Sequence, residues 1–332
     1  MQSVASTVVV LGTGGTIAGS AASAADNVSY TSATLPVENL VAMLEVPAGF
    51  ALESEQVAQL DSKDMDFATW RRLALRVAAQ LERPEVVGVI VTHGTDTLEE
   101  TAYFLQRVLA PAKPIVLTAA MRPATSRLAD GPQNLADALA VATAPDARGV
   151  TVVVASSVHS ALDVRKVHPY RLDAFGSGDA GPVARVEEGR LRRLRPWPVA
   201  DSAAPGIAML PGDISAWPLV AIVTSGAGAD ARSVGVLVDA GFAGIVVAAT
   251  GNGRVHSSLE APLRDAVARG CAVLRSTRCL DGTVIDAAAP SADDALPSAG
   301  ALTPQQARVE LIVRLLERRA DRSGQTALGE TG

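Results

Sequence analysis

Thr7-Val8-Val9-Val10-Leu11-Gly12-Thr13-Gly14-Gly15-Thr16-Ile17-Ala18-Gly19 is the stretch on which the fold turns: an unbroken run of β-branched and aliphatic residues that empties into a turn of glycine and threonine. A short apolar run without polar alternation reads as a strand buried on both faces, which is how strands sit in parallel sheets. The same figure recurs downstream at Val86 to Thr92, Pro114 to Thr118 and Val150 to Ala155, each closed by Gly, Ser or Thr. Between these runs, Leu98 to Leu109 and Asn134 to Ala142 carry the 3.6-residue spacing of amphipathic helices. Strand, turn and helix in alternation predict βα units around a mainly parallel sheet.

From about Asp173 to Pro198 the pattern changes to short polar strands with Gly189 at a turn, which predicts a hairpin, and a Pro- and Ala-rich linker extends to Pro218. The alternation then restarts, with Leu219 to Thr224, Ile245 to Ala248 and Ala272 to Leu274 as strands and helices beginning near Asp230 and Ser257. A last helix starts at a capping box, with Thr303 as N-cap, Pro304 at the first helical position and Gln306 three residues after the cap. Val309, Ile312, Val313 and Leu316 form its apolar stripe. The expected architecture is α/β: a larger N-terminal, mainly parallel sheet domain flanked by helices over residues 1–200, a linker over 201–218, and a smaller C-terminal α/β domain over 219–332.

Composition narrows the function classes. In 332 residues, 48% are hydrophobic and 19% charged, enough apolar surface for packed cores and little self-repulsion. Aromatics at 3% leave few stacking platforms for single strands and a net charge of −6 implies no polyanionic partner, so nucleic acid is not expected; no uninterrupted apolar run approaches the ~20 residues that span a bilayer, so membrane is not expected either. Cys271 and Cys279 cannot build a disulfide framework and read as reduced thiols. The first 25 residues contain Ala22-Ser23-Ala24, which looks like a cleavage site, but lack a basic segment and a compact apolar stretch. A cytoplasmic location is therefore expected, or a periplasmic one had a leader been removed.

Ligands of open parallel sheets bind beyond the carboxyl ends of the strands, so the turns there are the places to look. The first turn begins as a dinucleotide fingerprint but puts Ile17 where a third small residue belongs, and Gly19-Ser20 lacks the lysine of a phosphate loop. A tight structural turn is one reading. A threonine hydroxyl presented on a bare turn as a nucleophile is the other. The second turn, Thr92-His93-Gly94-Thr95-Asp96-Thr97-Leu98-Glu99-Glu100, offers capping boxes in Thr97 with Glu100 or Asp96 with Glu99. Capping leaves Thr95 unexplained, projecting towards the crevice of the first turn.

The third turn, Asp61-Ser62-Lys63-Asp64-Met65, precedes a helix from about Phe67 that Ser62 or Asp64 is positioned to cap. Lys166, beside Arg165, gains interest only if it reaches a hydroxyl or carboxylate. No Gly-x-Ser-x-Gly elbow occurs, and His93, His159, His168 and His256 show no metal-site spacing, so each reads as structural or exposed.

In combination, Gly12-Thr13-Gly14-Gly15-Thr16-Ile17-Ala18, Thr92-His93-Gly94-Thr95-Asp96-Thr97, Ala120-Met121-Arg122-Pro123 and Asp130-Gly131-Pro132-x-Asn134-Leu135 resemble the bacterial-type L-asparaginases and glutaminase-asparaginases. The resemblance continues through Asp61-Ser62-Lys63-Asp64-Met65, Gly251-Asn252-Gly253 and the last helix. It implies hydrolysis of the side-chain amide of L-asparagine to L-aspartate and ammonia, with some glutaminase activity and with neither metal nor organic cofactor. By resemblance Thr16 is the nucleophile, Tyr30 on a mobile covering loop its hydrogen-bonding partner, and Thr95, Asp96 and Lys166 the second catalytic group. That group either activates the nucleophile or orients the attacking water.

Backbone N–H groups near Gly15, Thr95 and Ala120 are expected to meet the oxyanion. Ser62 and Asp96 are expected to hold the α-carboxylate and α-ammonium ends of the substrate. Gly15, Gly94 and Ala120 border that substrate, with Lys63 nearby and Asn252 contributed by a neighbouring subunit. The family assembles as intimate dimers paired into homotetramers. Both threonines are expected in solvent-facing turns.

One departure stands out: the family places a second-domain glutamate near the substrate ammonium, whereas Cys279 to Pro304 holds Asp281, Asp286, Asp293 and Asp294 and no glutamate. Asp286 is the candidate replacement. A catalytically reduced protein that binds a small amino acid is the alternative this departure raises.

Overall fold

The computed structural model describes residues 6–199, 204–286 and 296–329. The chain divides into two compact units, Met1–Ile207 and Ala208–Gly332. Asp293 and Asp294 lie outside the described residues.

The first unit is built on one eight-stranded sheet. Its strands are β1 (Ser6–Gly14), β2 (Phe50–Leu60), β3 (Val86–Thr92), β4 (Pro114–Thr118), β5 (Gly149–Val154), β6 (Ser157–Ser160), β7 (Ala184–Glu187) and β8 (Arg190–Arg193), in the order β8-β7-β6-β5-β4-β3-β1-β2. The five strands from β2 to β5 along that order are parallel, and β6, β7 and β8 add antiparallel at one edge. Register aligns Gly12 with Thr92, Thr92 with Thr118 and Thr118 with Val153, so the carboxyl ends of β1, β3, β4 and β5 finish in one row. The turns that follow are therefore neighbours in space although scattered in sequence.

Helices α1 (Val37–Val41), α2 (Phe67–Leu81), α3 (Leu98–Leu109) and α4 (Gly131–Ala142) flank this sheet. Val8, Val10, Ile90, Val116 and Val153 pack with Leu135, Ala138 and Leu139 of α4 in a core that excludes water. Burying each such side chain contributes about 1.5–3 kcal/mol. Trp70 of α2 stacks on Phe104 of α3 with ring centroids 4.8 Å apart and donates to Thr101 Oγ1 at 2.9 Å. The cap of α2 is Asp66, which accepts from Thr69 N at 2.8 Å; neither Ser62 nor Asp64 caps it, because each falls in a separate 3₁₀ turn, Ser62–Asp64. The predicted hairpin is present as β7 and β8, with Gly189 between them in the left-handed region at φ 69°.

The second unit carries three parallel strands, β9 (Val220–Thr224), β10 (Gly244–Ala249) and β11 (Ala272–Thr277), in the order β9-β10-β11. Helices α5 (Arg232–Asp239), α6 (Ser257–Ala268) and α7 (Pro304–Gly329) complete it. Val223, Ile245 and Val247 meet Leu259 and Leu263 of α6 in its core, and α7 buries Val309, Ile312, Val313 and Leu316. The capping box is reciprocal: Gln306 N donates to Thr303 Oγ1 and Thr303 N to Gln306 Oε1, both at 3.2 Å. Cys271 is buried and Cys279 exposed, both free thiols. No helix among the described residues is long and apolar enough to cross a membrane.

Candidate active site

Three strand ends of the first unit, those of β1, β2 and β3, meet at two glycines. Gly15, with φ 78°, occupies the left-handed region open to glycine, and a Cβ there would overlap the Gly94 backbone. A Cβ on Gly94 would in turn overlap the Ser62 side chain. Bare backbone at both positions lets the turns after β1 and β3 touch, and Thr16 and Thr95 are the residues that follow the two glycines. Ser62 Oγ accepts from Asp96 N at 3.1 Å, and Thr97 Oγ1 donates to Ser62 O at 2.8 Å, which locks the turn after β2 to the same junction.

Each threonine has a polar partner. Thr16 Oγ1 lies 2.7 Å from the Tyr30 hydroxyl. Lys166 Nζ donates to Thr95 Oγ1 at 2.9 Å and to Asp96 Oδ1 at 2.6 Å. Thr16 is 6% exposed and Thr95 7%, so both sit in buried turns, not the solvent-facing ones expected. Lys166 lies against Thr95, and the segment carrying Tyr30 lies against Thr16. That segment forms a two-residue ladder, Ser20–Ala21 with Tyr30–Thr31, and is tied down where Arg127 N donates to Ala24 O at 3.0 Å and Ser126 Oγ to Asn27 Oδ1 at 2.6 Å.

The helix start at α3 departs from the capping reading. Thr97 is the N-cap residue but its side chain makes no cap bond, because its hydroxyl is given to Ser62 O. Glu99 is not folded back on the helix either: its Oε2 accepts from Lys166 N at 2.5 Å. Burial pushes the Glu99 carboxyl up to about 7, against the lowering effect of that N–H and of Arg165 and Lys166. A capping pattern is indistinguishable in sequence from a carboxylate aimed at another segment, so Glu99 carried no signal of its own.

Supporting groups hold the turns in place. His93 is fully buried, and its Nδ1 lies 2.7 Å from Gly94 O; since a carbonyl only accepts, that nitrogen carries the proton. Burial lowers the His93 imidazole to about 4, so the ring is neutral. After β4, Asp130 accepts from both Met121 N and Arg122 N at 2.9 Å, and Asn134 Nδ2 donates to Ala119 O at 2.9 Å, fixing the Ala120 turn. Arg122 then bridges to the Tyr170 carbonyl at 2.9 Å and stacks 4.1 Å from that ring's centroid. Asp130 and Asn134 belong to a motif noted in the sequence, but nothing there assigned them this task.

Gly15 N is occupied by Leu60 O at 2.9 Å, so the oxyanion donor expected at Gly15 itself is unavailable. Lys63 is exposed and engages Asp64 at 2.6 Å. In the second unit, Asn252 spends its amide on Ile285, donating to its carbonyl at 2.8 Å and accepting from its N–H at 2.7 Å. The adjacent Asp286 pairs with Arg275 at 2.9 Å. No cluster of His, Cys, Asp and Glu able to hold a metal occurs among the described residues.

Residues 7–198 match the family model "Asparaginase, N-terminal" and residues 219–326 the model "Glutaminase/Asparaginase C-terminal domain". The chain belongs to the asparaginase family. Within it, the chain is 38% identical over 317 residues to L-asparaginase 2 of Escherichia coli K12, covering 93% of this chain and 89% of that one. It is 36% identical over 318 residues to the glutaminase-asparaginase of Pseudomonas fluorescens biotype A, covering 93% and 86%. The solved structure of a probable cytoplasmic L-asparaginase from Campylobacter jejuni superposes with a TM-score of 0.84 at 33% identity, covering 93% of this chain and 95% of that one. This asparaginase is thus a hydrolase with a mainly parallel sheet domain followed by a smaller one. The expectations of family, fold class and enzyme class are met.

Proposed function

We propose that this asparaginase hydrolyses the side-chain amide of L-asparagine to L-aspartate and ammonia, and that of L-glutamine more slowly, with Thr16 as nucleophile. The observation that carries this reading is the Lys166 ammonium bonded to Thr95 and Asp96, on a turn whose glycine touches the turn bearing Thr16. A free threonine hydroxyl is a weak nucleophile and needs a proton acceptor within reach. Tyr30, 2.7 Å from Thr16 Oγ1, begins such a relay.

In the first half-reaction, Thr16 Oγ adds to the carboxamide carbon and its proton leaves through the relay. The C–N bond then breaks, and the nitrogen departs with that proton as ammonia. In the second, water adds to the acyl carbon, Thr16 Oγ leaves with a proton, and aspartate is released. Thr95, Asp96 and Lys166 orient the water and handle its proton, while N–H groups at the Thr95 and Ala120 turns meet the oxyanion; one such donor is worth about 10²–10³ in rate. Ser62 and Asp96 hold the charged ends of the amino acid. The contribution of Asn252 from a neighbouring subunit, within a homotetramer of intimate dimers, completes the reading.

Ammonia release measured on L-asparagine, L-glutamine and their D-isomers tests it. Turnover of L-asparagine is expected; binding without turnover on any of the four favours the binding-protein alternative, to which the missing second-domain glutamate and the Asp286–Arg275 pair lend weight. Thr16→Ala and Thr95→Ala are each expected to cut kcat by at least about 10³-fold while staying folded, with about 1–2 kcal/mol lost in a denaturant melt because each removes a buried hydroxyl and its bond. Near-normal kcat in either removes that residue from the mechanism. A burst of one ammonia per site in Thr95→Ala assigns Thr95 to the water step.

A further inference from the structure

Glu99 is a buried carboxylate that neither the helix nor the proposed chemistry accounts for. It sits in the first turn of α3, 9% exposed, and points away from its own helix to the backbone of another segment, accepting from Lys166 N at 2.5 Å. Lys166 belongs to a two-residue ladder, Arg165–Lys166 with Phe175–Gly176, so short that it cannot by itself fix the position of a side chain. The Lys166 side chain nonetheless meets two partners 2.9 and 2.6 Å away on the opposite turn. A backbone held by Glu99 at one end and a head group held by Thr95 and Asp96 at the other defines the reach of that lysine.

We propose that Glu99 is a positioning residue, a clamp on the Lys166 backbone that aims Nζ at Thr95 and Asp96. This rests on the asparaginase reading of the site. A charge-assisted N–H···O⁻ bond is roughly twice as strong as a neutral one, so the clamp is tight while Glu99 is ionised and slackens when it takes a proton.

The charges acting on Glu99 are Glu100 on its own helix, which opposes ionisation, and Arg165 and Lys166 on the facing ladder, which favour it. Asp96 and Glu99 both bond Lys166, the one at its head group and the other at its backbone, and β5, which packs on α3, carries no ionisable side chain. From α2, the contact with α3 includes Trp70 on Thr101, while Arg71, Arg72 and Arg76 share that helix. Burial outweighs the two cations and brings the carboxyl to about 7. Ionisation of the clamp therefore falls inside the working pH range.

The test is a pH profile of kcat and KM for L-asparagine in wild type and Glu99→Gln, with hydrogen exchange of the Lys166 amide in both and in Glu99→Ala. Wild-type kcat is expected to fall as pH drops through about 7. Glu99→Gln keeps a neutral acceptor for the N–H, so it should fold, lose about tenfold in kcat at pH 8, and converge with wild type near pH 5.5, with KM within about twofold. Profiles that run parallel, or an unaltered kcat and acid limb in Glu99→Gln, overturn the proposal. Exchange of the Lys166 amide should accelerate at least about tenfold in Glu99→Ala if that variant folds, and measurably in Glu99→Gln. If the wild type releases no ammonia from any amide, the asparaginase reading has failed, and the clamp is judged on exchange: acceleration supports it and an unchanged rate overturns it.

Discussion

Tyr30 makes the sharpest case at the scale of single residues. Its hydroxyl lies 2.7 Å from Thr16 Oγ1, and its ring lies where a side chain at Gly19 would otherwise reach. Tyr30→Phe keeps the ring and, under the proposed mechanism, removes the proton path. The expected result is a loss of about 10²-fold in kcat with KM within a few fold, read from steady-state ammonia release. A variant that keeps wild-type kcat would mean the Thr16 proton leaves by another route. His93 illustrates the opposite case, a polar residue beside the Thr95 turn placed as a brace: one nitrogen holds the Gly94 carbonyl, and the other is buried with no partner among the described residues. Nothing in the letters Thr-His-Gly-Thr separates the two kinds of role. Only burial does.

At the scale of elements, the turn after β4 depends on α4. Asn134 donates to Ala119 O and to Asp130 Oδ2 at 3.2 Å, and accepts from Ala155 N at 2.9 Å. Ala155 and Ser156 both take left-handed backbone, φ 49° and 57°, in the tight turn between β5 and β6, and Asp137 accepts from Ser156 Oγ at 2.9 Å. Asn134→Ala removes three bonds and leaves buried groups unpaired, so it should destabilise the first unit by about 2–4 kcal/mol in a denaturant melt and lower kcat as the Ala120 turn loosens. A change under about 0.5 kcal/mol would contradict this account.

Strands and helices were legible because Val8 to Leu11, Val86 to Thr92 and the stripe of α7 announce their burial through composition and period alone. Turn residues were legible as a set, through the glycines at 15 and 94 that only a close approach explains. Individual partners were not. The caps of α2 and α3 differ from the expected ones because Asp, Ser and Thr close to a helix start satisfy the local rule equally well, and which one wins depends on distant chain. Ser62 is held by the turn after β3, and Thr97 by Ser62, pairings 34 and 35 residues apart.

For the molecule as a whole, two buried histidines make stability depend on pH. His159 lies 2.7 Å from Ser177 Oγ, and burial, assisted by Arg185 and Arg195, lowers it to about 4, as burial does for His93. The unfolded chain binds these protons near pH 6.5, so the contribution is whole above that pH and is lost as pH falls towards 4, about 3 kcal/mol for each ring. Glu99, with its carboxyl raised to about 7, works in the opposite sense: its protonated form favours the fold at low pH and that advantage is lost as pH rises through 7. Comparing denaturant melts of wild type and His159→Asn at pH 7 and pH 4 isolates one ring. Wild type should lose about 3 kcal/mol more than the variant over that interval, and parallel losses would show that His159 is not the source.

Assembly is testable at the same scale. Sedimentation should give a particle of four chain masses, and Asn252→Ala should impair turnover without dissolving it; a monomer with full activity would rule out a site completed by a neighbour.

The contact between Gly15 and Gly94 has a further consequence for anyone wishing to alter what this enzyme accepts. With no side-chain atoms between them, the two turns form a single wall that cannot give way without shifting Thr16 and Thr95 relative to each other. Diversity introduced at either glycine would be sterically lethal, whereas the flap from Ser20 to Thr31 is anchored by a handful of replaceable polar bonds. Retuning belongs there.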